Sequence, residues 1–385
     1  MKKVLVISPL STTDWGSTSA GGVDSVCQML LKQLHQSPSN KFSYRVVAFD
    51  PMNKVIQEGV IEKLNSNLEI VKFNVKNDIK LNRFVPNLVY QNKKIKEQIL
   101  DFSPDLIHSH LNSWVVCLGT NISKVLTLHS YKKICRKRGS FLNNFLYEIV
   151  IPFLANKSIS RYTSVSEYLK YSVEGETKRQ IDVVYNPIDD RYFKPVFRTN
   201  TRTIELVTCA VITKRKGIHH LVEVVKKLKE AKVPVRLKVI GPVSDSSYYE
   251  HLCKVIRQYG LVENIHFMGA KSIEEIINFY VNSDIGVFLS EEETFGLVPL
   301  EMIASKLPVI CSNTGVISDL SKREQENELL NIVEPNDYLN IAKLVQRLNK
   351  HSQTCGNEMI KEEFSVESII NRYESIYLNE LISND

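Results

Sequence analysis

Short runs of β-branched and other apolar residues recur along the chain. A longer stretch follows each one, with apolar residues returning every three or four positions. In the first half the runs are "KVLVIS", "SYRVVAF", "LEIVKFN", "PDLIHSH", "KVLTLHS", "RYTSVS" and "IDVVYN". In the second they are "IELVTCAVI", "VRLKVIG", "NIHFMGA", "DIGVFLS", "PVICSN" and "LLNIVEP". Runs such as "VLVI" and "LKVI" are apolar at consecutive positions, as strands are when helices cover both faces of their sheet. Parallel α/β sheets are therefore predicted. Between the runs, "VEVVKKLKEA", "YEHLCKVIRQYG" and "IEEIINFYVNS" place apolar residues at helical spacing with charge on the opposite face.

The rhythm breaks at "NPIDDRYFKPVFRTNTRT" (186–203), which has two prolines, mixed charge and no apolar period. This segment reads as a linker between two domains, the number that 385 residues suggest. The expected organisation is a first domain over 1–190 and a second over 191–365. The final stretch, "FSVESIINRYESIYLNELI", has no strand after it. It could cap its own domain; the reading adopted sends 366–385 back onto the first. The predicted fold is α/β, with two doubly wound, Rossmann-like parallel-sheet domains facing a central cleft. Ligands of open α/β sheets bind outside the carboxyl ends of the strands.

Composition narrows the function classes. Apolar residues at 43% and charged residues at 24% describe a globular protein. A net charge of +6 permits an anionic ligand or membrane surface but is too small to imply nucleic acid, so none is expected as a partner. Cysteines at 27, 117, 135, 209, 253, 311 and 355 are scattered and odd in number, as buried thiols of a reducing cytoplasm would be. "MKKVLVISPLSTTDW" has too short an apolar run for a signal-peptide core, and no apolar stretch of about 18 residues predicts a spanning helix. A cytoplasmic protein is expected.

The densest chemistry lies in "EEETFGLVPLE" (291–301), four carboxylates around one glycine. A strand ending near Ser290 and a helix starting after Gly296, with Pro299 near its start, make Thr294-Phe295-Gly296 a strand-to-helix corner. Amides of Phe295, Gly296 and Leu297 at such a corner attract phosphate. Glu293 and Glu301 border the same pocket, because helical side chains tilt back toward the N-terminus. A carboxylate accepts hydrogen bonds only, so its partners beside a phosphate are hydroxyls: a sugar for one glutamate and a ribose diol for the other. The alternative is a solvated loop with Glu301 serving the helix dipole, and that reading is kept for Glu291 and Glu292.

These residues resemble the glycosyltransferase family four pattern, the retaining, metal-independent enzymes of the two-domain GT-B fold. The marker is E-x7-E, here Glu293-Thr-Phe-Gly-Leu-Val-Pro-Leu-Glu301. "SAGGVDSV", "PDLIHSH", "VLTLHS", "SVSEYLK", "VVYNPID", "KRKGIHHLVEVVKKL", "IGPV", "HFMGA" and "SKLPVICSNTG" follow the family's segments in order over nearly the whole chain. The resemblance implies that Gly21 and Gly22 let backbone approach the donor phosphates or the acceptor. It implies that His129 meets the reacting sugar, that Lys216 neutralises the diphosphate, that Glu293 holds sugar hydroxyls near the Thr294–Leu297 corner, and that Glu301 binds the ribose. Ala210 and Val211 occupy the register where the family often has Gly-Arg, so either Lys214 or Arg215 supplies the second positive charge or Lys216 works with less help.

The function this implies is transfer of a hexose-type sugar from a nucleotide diphosphate sugar, UDP favoured, to a glycan or lipid-linked acceptor in surface polysaccharide or glycolipid biosynthesis. No cofactor and no metal are expected, and no Asp-x-Asp pair occurs. A nucleotide-sugar epimerase or hydrolase of the same fold, and a non-catalytic nucleotide-sugar-binding protein, are the alternatives. No Gly-x-Gly-x-x-Gly follows the first strand, which argues against a dinucleotide-dependent oxidoreductase. His108 and His110 share a strand face, a spacing also used for metal, but without a third ligand they read as structural or pocket-lining. His219 and His220 are expected to have no catalytic part. In 131–157 five cations (Lys132, Lys133, Arg136, Lys137, Arg138) precede an apolar stretch. This is either a solvated loop before a core helix or a segment resting on an anionic bilayer, the peripheral membrane contact that family members acting on lipid-linked sugars make through the first domain.

Overall fold

A computed structural model describes residues 1–13, 21–76, 87–116, 118–119, 121–130, 149–193, 203–322, 328–349 and 358–382. The expected cationic segment at 132–138 and half of the expected linker, 194–202, lie outside the described residues. Contacts divide the chain into two compact units, Met1–Pro187 with Val366–Asp385, and Ile188–Ser365.

The first unit holds β1 (Lys2–Pro9), β2 (Phe42–Asp50), β3 (Ile61–Asn65), β4 (Leu68–Asn74), β5 (Leu106–Ser109), β6 (Ser123–Leu128), β7 (Arg161–Ser164) and β8 (Ile181–Val183). They form one sheet in the order β3-β4-β2-β1-β5-β6-β7-β8. Every predicted run is a strand, and all pair in parallel except β3, which is antiparallel to β4. The first sheet is thus mixed rather than wholly parallel. β3 escapes the periodicity because "IEKLN" is an edge strand with no buried residue.

Around this sheet lie α1 (Gly22–Gln36), α2 (Asn87–Phe102), α3 (Ile151–Ser158) and α4 (Glu167–Val173). Leu5, Ile7, Val47, Phe49 and Phe73 meet Ile95 of α2 in the core. The last described helix, α12 (Val366–Ile382), belongs to this unit. It buries Tyr373, Glu374 and Tyr377, and the Glu374 carboxylate accepts the Tyr44 hydroxyl at 3.0 Å and pairs with Lys41 at 3.4 Å. α3 leaves Phe153 exposed. No described helix is long and apolar enough to cross a membrane.

The second unit holds β9 (Ile204–Cys209), β10 (Val235–Ile240), β11 (Ile265–Gly269), β12 (Ile285–Phe288), β13 (Val309–Ser312) and β14 (Leu330–Val333). These pair in parallel in the order β11-β10-β9-β12-β13-β14. Its helices are α5 (Ile218–Glu230), α6 (Ser246–Gln258), α7 (Ile273–Val281), α8 (Leu297–Ala304), α9 (Val316–Leu320), α10 (Tyr338–Leu348) and α11 (Glu358–Phe364). α5 buries Ile218, Leu221, Val222, Val225 and Leu228, the helical spacing read from the sequence.

Numbered within their own unit, these six strands run 3-2-1-4-5-6, the doubly wound order whose direction reverses between the first and fourth. That switch falls between β9 and β12, which pair through Leu206 and Ile285. In the first unit the corresponding place lies between β1 and β5. Connections leave in opposite directions there, and ligands of doubly wound sheets bind at the carboxyl ends of the strands beside such a switch.

Candidate functional site

At the β9–β12 switch two loops lie side by side. After β9, Lys214–Lys216 form one 3-10 turn, and Gly217 (φ 65°) leads into α5. A Cβ on Gly217 would stand 1.9 Å from the Leu289 carbonyl oxygen, so only glycine lets this turn approach the end of β12. After β12 the chain passes Leu289 and Ser290 into the acidic stretch.

The Lys216 ammonium donates to Glu293 Oε1 at 2.6 Å, and the Ser290 hydroxyl donates to the same oxygen at 2.7 Å. Arg215 Nη1 donates to the Glu292 carbonyl at 2.8 Å and lies 3.8 Å from Glu293 Oε2. The Glu291 amide closes the loop pair by donating to the Arg215 carbonyl at 2.9 Å. Ser290 is fixed in turn, because its carbonyl accepts the hydroxyl of Ser312 at the end of β13.

Glu293 is only 6% exposed, so its charge needs the partners it has. Two cations against one carboxylate leave a local surplus of positive charge. The group can hold hydroxyls through the carboxylate while attracting an anion through Arg215 and Lys216.

Gly296 (φ 84°) caps α8, and Pro299 stands third in that helix, where its missing N–H costs no intrahelical bond. Phe295 is buried, and its carbonyl accepts the Val316 amide at 2.7 Å. A Cβ on Gly315 (φ 57°) would lie 2.3 Å from that carbonyl oxygen, so the loop before α9 must be glycine to hold the corner. Thr294 and Leu297 are half-buried beside it. Glu301, fifth in α8, is partly buried. Burial pushes its carboxyl up to about 7; the Asp189 charge adds to this, while a hydrogen bond with Tyr192 pulls the other way. At neutral pH this carboxyl is near the midpoint of its titration.

The first unit's switch holds another polar set. His110 follows β5 and His129 follows β6, with His110 Nδ1 and His129 Nε2 2.9 Å apart and the rings stacked at 5.2 Å. His108 Nε2 is 2.7 Å from the Thr127 hydroxyl, and its Nδ1 is 2.6 Å from the Tyr377 hydroxyl of α12. Burial lowers all three imidazoles: His108 to about 3, His129 to about 4, and His110 well below its ordinary value. The rings are therefore neutral at pH 7, and one nitrogen of the His110–His129 pair donates to the lone pair of the other. Gly21 (φ 154°) precedes α1, and a Cβ on Gly21 or Gly22 would meet nothing within 4 Å. Ahead of them, buried Asp24 of α1 accepts the amide and hydroxyl of Ser11 at 2.8 and 2.5 Å, tying the start of the helix to the end of β1.

The structure thus brings Arg215, Lys216 and Glu293 into one cluster and puts Thr294–Leu297 and Glu301 on the element that follows. Lys214 opens the same turn as Lys216. Val211 is 41% exposed and brings no charge to its register, while Arg215 does stand beside Glu293. Gly21, Gly22 and His129 lie in the first unit. Reading the sequence missed Ser290, which holds Glu293, and Asp189 and Tyr192, which act on Glu301. It left His110 as a lining residue, although His110 bonds directly to His129. A serine at a strand end carries no sequence signal, whereas the His-x-His spacing was visible.

The model of Glycosyltransferase Family 4 matches residues 20–192, and that of Glycosyl transferases group 1 matches residues 190–362. A sulfoquinovosyl transferase of Arabidopsis thaliana is 26% identical over 268 residues, 66% of this chain, and the match spans about half (51%) of the plant enzyme. The capsular polysaccharide biosynthesis glycosyltransferase CapM of Staphylococcus aureus is 31% identical over 43% of this chain and 43% of its own. Among solved structures, a sucrose-phosphate synthase from Thermosynechococcus elongatus superposes with a TM-score of 0.75 at 17% identity, covering 100% of both chains. The Anabaena protein HepE, solved with UDP and glucose, superposes at 0.68 and 15% identity over 98% of this chain and 99% of its own. The structural likenesses establish the GT-B fold, and the two tandem matches establish the family. The chain belongs to glycosyltransferase family four, the glycosyl transferases group 1, and is a glycosyltransferase.

Proposed function

We propose that the protein transfers a hexose-type sugar from a UDP-sugar, with retention, to a glycan or lipid-linked acceptor of a surface polysaccharide or glycolipid. The observation that carries this reading is the Lys216–Glu293–Ser290 cluster at the β9–β12 switch, with Arg215 beside it. In this reading Arg215 and Lys216 take the diphosphate, whose charge grows as the sugar leaves. Lys214 adds to the same positive field. Glu293 holds sugar hydroxyls, Glu301 the ribose, and the Thr294–Leu297 corner lies alongside. Gly21, Gly22 and His129 are assigned to the phosphate or acceptor end and the reacting sugar. The bond from the anomeric carbon to the phosphate oxygen breaks while the acceptor oxygen bonds to that carbon on the same face. The acceptor's proton passes to the departing phosphate, so no protein nucleophile and no metal are invoked. UDP is favoured because HepE, of the same fold, was solved with UDP and glucose. The polysaccharide setting is favoured by the likeness to the capsular enzyme.

A thermal-shift panel of UDP-, GDP- and ADP-sugars should show stabilisation by UDP-sugars first. Glu293→Ala should then reduce sugar transfer at least about 100-fold, the scale of losing a group that acts on the transition state. Glu292→Ala, which keeps the backbone carbonyl that accepts Arg215, should stay within about twofold. Equal losses in both variants, or a panel led by GDP or ADP, would refute the assignment. Rapid isomerisation of the donor without acceptor, followed by mass spectrometry and NMR, would show an epimerase instead.

The raised Glu301 carboxyl gives a pH signature. An ionised carboxylate accepts both ribose hydroxyls and a protonated one does not, so the affinity for a UDP-sugar should rise from pH 6 to 8, with its midpoint moving below 7 when ligand binds. The stability sign is opposite: the folded protein holds a proton there that the unfolded chain releases above about 4.5, so this group's contribution to stability falls as pH rises toward 7. Calorimetric titration of Glu301→Gln should be flat in affinity across that range; an unchanged pH dependence would place the titrating group elsewhere.

We also propose that 131–157 meets an anionic membrane surface. Exposed Phe153 and half-exposed Leu154 of α3, with Lys157 over the Phe153 ring at 4.6 Å, follow the cationic stretch. Flotation with anionic liposomes should carry the protein upward, and neutralising Lys132, Lys133, Arg136, Lys137 and Arg138 should abolish this. Flotation that ignores those charges would end the proposal.

A further inference from the structure

The start of α5 and the loop after β12 share a second meeting point, next to the first. His219 Nε2 is 3.7 Å and His220 Nε2 3.9 Å from Glu291 Oε1. Among the described residues this is the one set of three metal-ligating side chains whose ligand atoms all lie within 4.8 Å of one another. The two ring centroids are 4.0 Å apart.

The remaining ring nitrogens are also committed. His219 Nδ1 is 2.9 Å from the Tyr248 hydroxyl, which also accepts the His219 amide at 3.0 Å. His220 Nδ1 is 3.0 Å from the Tyr338 hydroxyl. Each imidazole is thus oriented by a tyrosine from a different helix, α6 and α10, with Nε2 left facing the carboxylate. A metal-binding histidine is typically oriented in this way, with its far nitrogen in a fixed hydrogen bond while the near one carries the lone pair.

We propose that His219, His220 and Glu291 form a binding site for a borderline divalent cation of the zinc type, separate from the sugar-transfer chemistry. Two imidazoles and one carboxylate are a donor set that suits Zn²⁺, Co²⁺ or Ni²⁺ better than Mg²⁺ or Ca²⁺. Ligands about 2.0–2.1 Å from a tetrahedral ion stand roughly 3.4 Å apart, so two of the three edges need contract by only about 0.5 Å or less. The Tyr248 oxygen can accept from His219 Nδ1–H as well as from the amide, which leaves Nε2 unprotonated. Water completes the coordination, because His219 and Glu291 are partly open to solvent.

Lys214 and His251 lie near enough to His219 to oppose an added cation. This keeps the expected affinity below that of a closed four-ligand site. Bound metal would join the helix that follows Lys216 to the loop that precedes Glu293, adding to the Glu291–Arg215 backbone bond, the Arg215–Glu292 hydrogen bond and the Lys216–Glu293 pair.

The test uses the tag-free full chain stripped with chelator. Calorimetric titration with Zn²⁺ should give one equivalent of tight binding, and Co²⁺ should give the strong visible absorption of a four-coordinate site. His219→Ala, His220→Ala and Glu291→Gln should each weaken Zn²⁺ by about tenfold or more. Tyr338→Phe, which removes only the orienting hydroxyl, should also weaken it measurably without changing the melting temperature of the metal-free protein. Because Glu291→Gln alters a solvent-facing group, its circular dichroism should match wild type, separating lost ligation from lost folding. No stoichiometric binding in the wild type, or binding that none of the three ligand substitutions weakens, would overturn the site.

Discussion

Lys216 and Glu293 are held against each other at 2.6 Å in the crevice between β9 and β12, and much of the second unit is arranged to make that possible. Two charges this close to burial are costly unless both stay paired and hydrogen-bonded. The pairing demands a glycine at 217, because the turn carrying Lys216 packs directly on the carbonyl of Leu289. It also demands a small polar residue at 290, whose hydroxyl completes the carboxylate and whose carbonyl is anchored by Ser312. On the other side, Gly315 lets the following loop grip the Phe295 carbonyl and fix the start of α8. The chemistry is placed by close backbone approaches, and the side chains inherit their positions from them.

The same pair explains how a cleft can contain a carboxylate and yet attract a phosphate. Arg215 and Lys216 together exceed the charge of Glu293, and Glu293 occupies the lysine until an anion competes for it. Donor binding in this view exchanges one partner of Lys216 for another and releases Glu293 to accept hydroxyls. Because the lysine never faces an empty apolar crevice, the site avoids the full desolvation cost of an isolated buried ammonium. Around His108, His110 and His129 in the first unit the described polar partners are neutral imidazoles and the hydroxyls of Thr127 and Tyr377, so this cluster works by hydrogen bonding rather than by charge.

The strand pattern was legible because a doubly covered parallel sheet writes itself as consecutive apolar residues, from "VLVI" in β1 to "LKVI" in β10. β3 was not, since an exposed antiparallel edge has no such constraint. The E-x7-E spacing and the Lys-Gly loop marked two segments 77 residues apart, but only the sheet order shows that they emerge as neighbours. Ser290 was invisible because serine at a strand end is commonplace and its role depends on where the Glu293 carboxylate turns. Glu301 was legible as a pocket residue but not as a titrating one, since its carboxyl is raised first by burial in the folded unit and then by the Asp189 charge, from a segment more than 100 residues earlier in the chain. His219, His220 and Glu291 were each read as bystanders. No spacing rule joins a helix start to a loop more than 70 residues on, so their convergence required the fold.

Glu293 restrains Lys216 against the diphosphate, and every role assigned to the cluster depends on that restraint. Calorimetric binding of free UDP to the wild type and to Glu293→Gln isolates that step, because UDP has no transferable sugar for Glu293 to hold. Removing the carboxylate charge frees Lys216 and removes a like charge from the anion's path, so UDP should bind Glu293→Gln more tightly, by about fivefold or roughly 1 kcal/mol. UDP that binds the variant equally or more weakly would contradict the account.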